Sequence, residues 1–163
     1  MIGNDIVDLR TAKQQSNWQR KGYLHKVFTP AEQSLILGSA TPDTLVWLFW
    51  SMKEAAYKIY SREMDIRNFA PTSLQCTIFD QDQETSSGQV IVCGRTYYTR
   101  SSLHNTFIHT ICADNLILLH QIKVSIQGDT HPTDLFTPAI CKSHHGAYLA
   151  QVYLTPGSLR STN

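Results

Sequence analysis

The chain has 163 residues, 42% of them hydrophobic and 17% charged. That suits one folded domain with a sizeable core and excludes a disordered chain. Lys and Arg number 14 against 13 Asp and Glu, a formal net charge of +1, so nothing announces a nucleic-acid or anionic-membrane partner.

No apolar run approaches the roughly 18 residues a spanning helix needs, and Asn4, Asp5 and Asp8 interrupt the N-terminus where a signal peptide would be apolar. The expected location is the cytoplasm. Cys76, Cys93, Cys112 and Cys141 form no C-x-x-C pair and read as reduced, mostly buried thiols. His104, His109, Cys112 and His120 lack the spacing of a structural zinc site.

Met1 to Leu9 reads as a short strand, with Ile2 and Ile6 assigned to one face and Asn4 and Asp8 to the other. Asp5 falls on the face of Val7 and Leu9. A carboxylate on an apolar face needs a partner, because an unpaired buried charge is costly; a metal, an arginine, a helix N-terminus or a structural hydrogen bond would each serve. From Thr11 to Val27 the chain is polar and locally basic through Lys13, Arg20, Lys21, His25 and Lys26. This stretch is expected to be a loop or irregular helix, either a solvated face or an anion-binding one.

Phe28-Thr29-Pro30-Ala31-Glu32 is a helix start, with Thr29 as cap, Pro30 in first position and Glu32 completing a capping box, and the helix should end near Gly38. Glu32 is thereby explained structurally. Thr41-Pro42-Asp43 starts a longer helix, to Ser61 or Arg62, with Thr41 as the capping hydroxyl. Leu45, Leu48, Met52, Ala55, Ala56 and Ile59 form its buried stripe. Trp50, Glu54 and Lys58 follow at four-residue steps on a second face, with Lys53 about a quarter-turn away. That face is either a surface Glu–Lys ion pair, worth about 0.3–0.5 kcal/mol, or the floor of a site.

After Pro71 the pattern turns to short β-branched and aromatic runs between turn signals. Strands are expected at Leu74 to Phe79 and at Gln89 to Thr99 with a bulge at Gly94. A loop should separate them at Gln81 to Gly88. Thr106 to Ala113 and Leu116 to Ile126 should pair across Asp114-Asn115. Gly128 to Pro138 reads as a loop, Ala147 to Leu154 as a last strand after Ser143-His144-His145-Gly146, and Pro156 to Asn163 as a frayed tail. The expected fold class is α+β: one domain over residues 1–155, early helices packed on a mainly antiparallel sheet.

Three segments, Gly3-Asn4-Asp5-Ile6-Val7-Asp8-Leu9, Phe28-Thr29-Pro30-Ala31-Glu32 and Trp50-Ser51-Met52-Lys53-Glu54-Ala55-Ala56-Tyr57-Lys58, together resemble the 4′-phosphopantetheinyl transferase superfamily in order and separation. The terminal Ser143-His144-His145-Gly146-Ala147-Tyr148 is similar to its Ser-His segment leading into a strand. With the Gly-x-Asp motif opening the chain and the Ser-His segment closing it, the arrangement resembles the short-chain, holo-acyl-carrier-protein synthase branch. Val7 stands where the two-lobed branch carries a second acid, Cys141-Lys142 precedes Ser143 where an apolar residue is usual, and His145 competes with His144 for the family histidine.

The resemblance implies a Mg²⁺-dependent transferase moving 4′-phosphopantetheine from coenzyme A to a serine of an apo acyl or peptidyl carrier protein. It implies Asp5 and Glu54 as metal ligands and Glu54 and Lys58 as catalytic. Lys53 and Lys58 would contact phosphate, and Ser143 and His144 would lie near the nucleotide. It also suggests a homotrimer, with no nucleic-acid or membrane partner. A module of the same fold that binds coenzyme A or a carrier without turnover is the alternative.

Overall fold

The computed structural model describes residues 1–128 and 139–154. Strand β1 (Ile2–Asp8) leads into the short helices α1 (Leu9–Gln15) and α2 (Tyr23–Val27), then α3 (Pro30–Gly38) and the long α4 (Pro42–Met64). A single 3₁₀ turn, Pro71–Ser73, precedes β2 (Gln75–Gln81), β3 (Thr85–Val92), β4 (Arg95–Leu103) and β5 (Phe107–Ala113). Then come α5 (Leu116–Gln121), β6 (Ile122–Gln127), β7 (Cys141–His145) and β8 (Tyr148–Leu154). The class is α+β, as expected, with two antiparallel sheets: five strands in the order β1-β5-β4-β3-β2 and three in the order β6-β8-β7.

Caps explain where the helices begin. Asp8 Oδ1 accepts from Arg10 and Thr11 N–H at 2.9 and 3.1 Å and so starts α1. Thr29 and Glu32 form the expected capping box on α3. Thr41 does not cap α4 through its side chain; its own N–H donates to Ser39 Oγ at 2.9 Å, and Pro42 supplies the helical φ.

α4 lies across the five-stranded sheet, and its expected stripe is the centre of the core: Leu48, Met52, Ala55, Ala56 and Ile59 are all at or below 1% exposure. The approach is close where Gly3 faces it, since a Cβ there would sit 2.2 Å from the Ala55 carbonyl oxygen. A second, smaller core, with Ile2, Ile111 and Val152, joins the two sheets.

Several expected boundaries are corrected. Cys93-Gly94 is the hairpin turn between β3 and β4, not a bulge in one strand, and both residues have positive φ there. β5 pairs with β1 and β4 instead of the segment after Asp114-Asn115, because Asn115 caps a helix, its Oδ1 accepting from Leu118 N–H at 2.8 Å. The basic stretch consists of α1 and α2 with an irregular link between them that carries Arg20 and Lys21. The period of two places Asn4 and Asp8 on the side of Ile2 and Ile6, not opposite them, and Asn4 is fully buried. The loop expected at Gln81 to Gly88 is shorter, since β3 begins at Thr85, and the loop expected at Gly128 to Pro138 lies largely, and the expected tail wholly, outside the described residues.

Candidate active site

The period of β1 turns Asp5 toward α4, and the four-residue period of α4 brings Lys58 to meet it: Lys58 Nζ is 3.0 Å from Asp5 Oδ1. The same ammonium donates to the Asn4 carbonyl at 2.7 Å and to Ser143 Oγ at 3.1 Å. Ser143 in turn donates to Asp5 Oδ1 at 3.0 Å. Burial pushes the Asp5 carboxyl up from the usual range, while Lys58 and the Ser143 hydroxyl pull it back.

Glu54, one helical turn before Lys58, opens with Asp5 onto a cleft of about 510 Å³. Its carboxyl is pushed up to about 7, by burial first and then by the Asp5 charge, against the pull of Lys58. Among the described residues no hydrogen bond or ion pair reaches it. Two carboxylates thus face one hollow, Glu54 unpartnered and its charge disfavoured by that of Asp5.

Among the described residues no group of three or more His, Cys, Asp or Glu could hold a metal alone. Asp5 and Glu54 offer hard carboxylate oxygens, the donor type that Mg²⁺ takes from one or two side chains while water and phosphate oxygens complete its shell. The residues present therefore fit the ion that the resemblance implies.

The cleft walls carry both signs and several rings. Arg20 and Lys26 line it together with Tyr23, Trp47 and Trp50, and the Arg20 guanidinium lies 5.3 Å from the Tyr23 ring centre. Trp50 is held edge-on against Phe69, ring centres 5.7 Å apart. A second hollow of about 530 Å³ adjoins it through Ser16 and Trp47, where Trp18 Nε1 donates to Asp43 at 2.7 Å.

β7 closes the cleft from the end of the chain. His144 and His145 both line it, but they are held differently: His145 Nδ1 accepts from Asp8 N–H at 2.9 Å, whereas His144 is exposed. Gly146 turns the chain at φ +54°, and a Cβ there would sit 2.2 Å from Asp8 Oδ2, so the turn and the α1 cap need its bare backbone.

Asp5, Glu54, Lys58, Ser143 and His144 are thus brought together, and Lys53 is not. Lys53 is 0% exposed, its Nζ 2.8 Å from Glu32 Oε2 and within 2.7 and 2.6 Å of the Pro71 and Leu74 carbonyls. The phosphate contact expected of it is corrected to a buried strut, because a quarter-turn on α4 is enough to carry a side chain from cleft to core. Glu32 is more than a cap: it also accepts from Cys76 N–H at 2.8 Å and ties α3 to β2. Tyr23 and Trp47 were missed as wall residues. The basic run containing Arg20 and Lys26 was the one signal that pointed to this wall.

A strand carboxylate and a helix carboxylate thus share a cleft whose walls carry Arg20 and Lys26. A sequence model of the 4′-phosphopantetheinyl transferase superfamily matches residues 1–112. The chain belongs to that superfamily, whose members are transferases acting on carrier proteins with coenzyme A. The match covers β1 through most of β5 and stops before Ser143 and His144. No curated protein matches the chain. Among the described residues no helix is long and apolar enough to cross a membrane.

Proposed function

We propose that this chain transfers the 4′-phosphopantetheine group of coenzyme A to a serine of an apo carrier protein and releases adenosine 3′,5′-bisphosphate, as a short-chain, cytoplasmic member of its superfamily. The observation that carries the reading is the pairing of Asp5 with an unpartnered Glu54 on one cleft. Asp5 and Glu54 hold Mg²⁺, which supplies positive charge to the coenzyme A pyrophosphate when bound.

Glu54 takes the proton of the carrier serine as the serine oxygen bonds to the β-phosphorus and the bond to the α-phosphate side breaks. A general base positioned in this way contributes about 10²–10⁴ in rate. Lys58 fixes Asp5 and adds positive charge beside the phosphates. Arg20 and Lys26 draw the anion to the wall, and His144 faces the nucleotide. The homotrimer suggested by the resemblance would complete the cleft between subunits.

Intact-protein mass spectrometry of apo acyl and peptidyl carrier proteins, incubated with this protein, coenzyme A and Mg²⁺, tests the reading. One added phosphopantetheine, lost with chelator and in Glu54→Gln, is expected. Coenzyme A binding without transfer to any carrier would replace it with the non-catalytic module.

A further inference from the structure

Ser143 stands beside the site without an evident share in it. Its hydroxyl has one proton to donate and two lone pairs to accept with. All three are used inside the protein: it donates to Asp5 Oδ1 at 3.0 Å, and accepts from Lys58 Nζ at 3.1 Å and Ile6 N–H at 3.2 Å. The side chain is buried. Nothing of its hydrogen-bonding capacity is left for a ligand.

The ammonium of Lys58 is in the same condition, its three protons matched by the Asn4 carbonyl, Asp5 and Ser143. Asp5 and Lys58 reach the site from β1 and α4, and Ser143 is the group bonded to both side chains. It is also bonded to the β1 backbone, so a shift of either charged group breaks a bond to a fixed hydroxyl.

How Ser143 comes to be there is equally specific. β5 occupies one edge of β1, so the N–H groups of Ile6 and Asp8 on its other edge need acceptors. Ser143 Oγ and His145 Nδ1 supply them at 3.2 and 2.9 Å. Residues 143 and 145 meet residues 6 and 8 in that order, so β7 runs alongside β1 in the same direction, joined by side chains in place of a backbone ladder.

We infer that Ser143 is a positioning residue that holds Asp5 and Lys58 in their working arrangement, and not a contact to the coenzyme A nucleotide. The inference rests on the transferase reading above. It assigns the residue a role opposite in kind to the one the resemblance implies, since a nucleotide contact acts on substrate affinity and a positioning group acts on turnover.

The test is steady-state transfer to an apo carrier by wild type, Ser143→Ala, Ser143→Cys and Ser143→Thr, with coenzyme A and with dephospho-coenzyme A, which lacks the 3′-phosphate. Ser143→Ala and Ser143→Cys are expected to lose on the order of 10-fold or more in kcat, as misplaced groups do. They should keep KM for coenzyme A within about twofold, the loss being the same with either substrate, and to need more Mg²⁺ for half-maximal rate. Ser143→Thr, which keeps the hydroxyl, should recover most of the rate. If Ser143→Ala does not fold by circular dichroism, Ser143→Cys, with similar volume, carries the comparison. A loss confined to KM, a loss that vanishes with dephospho-coenzyme A, or wild-type turnover in both variants overturns the inference. Wild type inactive on every carrier would sink the transferase reading first, and the inference with it.

Discussion

Lys53 Nζ lies 2.8 Å from Glu32 Oε2, with both side chains withdrawn from solvent and the neighbouring Glu54 open to the cleft. Adjacent residues of one helix thus divide between core and site. The pair joins α4 to the start of α3, and through Cys76 N–H and the Pro71 and Leu74 carbonyls to the first turn and strand of the β half.

Removing one partner leaves the other charge buried and uncompensated. Lys53→Ala is therefore expected to destabilise the fold by about 3–5 kcal/mol, while the double variant Lys53→Met/Glu32→Gln recovers part of the loss. Urea unfolding of the three proteins measures it; equal stability of Lys53→Ala and wild type would contradict the strut.

Glu54 titrates near 7 when folded and near 4.5 when not. The folded state then holds the proton more tightly, so its contribution to stability is full below 4.5 and is lost as pH rises through 7. In chelator, Glu54→Gln should be more stable than wild type at pH 8, by about 1–2 kcal/mol after allowing for partial exposure, and no more stable near pH 4.5. Thermal melts at the two pH values give the comparison, and a stability gap that does not change with pH would refute the raised carboxyl.

His109 shows the opposite sign. Its ring is 2% exposed, Nε2 has no hydrogen-bond partner among the described residues, and burial, with Lys58 and His104 nearby, lowers its pKa to about 4. Its contribution is present above 6.5 and lost as pH falls toward 4, worth about 2–3 kcal/mol over that window. His109→Phe, which orphans no polar atom, is expected to melt at a less acid-sensitive temperature than wild type between pH 7.5 and 5. Parallel losses in both proteins would show the histidine to be innocent.

Gly3→Ala places a methyl against the Ala55 carbonyl and the Ile59 side chain, at 2.2 and 3.2 Å before relaxation. The strand must move off the helix, at a cost of about 1–3 kcal/mol, and Asp5 two residues on moves with it. Both unfolding stability and Mg²⁺-dependent transfer should fall; a variant as stable as wild type would mean that the approach is looser than this.

α4 could be read from its sequence because its apolar residues keep a helical period, and the stripe and the capping box of α3 both follow from local chemistry; the face of Trp50, Glu54 and Lys58 stayed open between a surface ion pair and the floor of a site. The Gly-x-Asp and Lys-Glu-Ala motifs likewise put Asp5, Glu54 and Lys58 within reach. Lys53 was misread because a ninety-degree offset on a helix does not say what waits there, and its partner lies 21 residues away in sequence. The hairpin at Cys93-Gly94 and the helix after Asn115 escaped because short apolar runs look alike as strand or helix until their partners are known. Nothing in the spacing shows that β1 lacks backbone partners on one side, and so nothing there marks what Ser143 is for.

The bond between Asp5 and Ser143 spans 138 positions of the chain. During synthesis the first carboxylate leaves the ribosome long before the hydroxyl that fixes it, so the five-stranded sheet can form while Asp5 and Lys58 are still unsupported on that side. Competence is then conferred last: until residue 143 has been made, the two charged groups lack the hydroxyl that joins them.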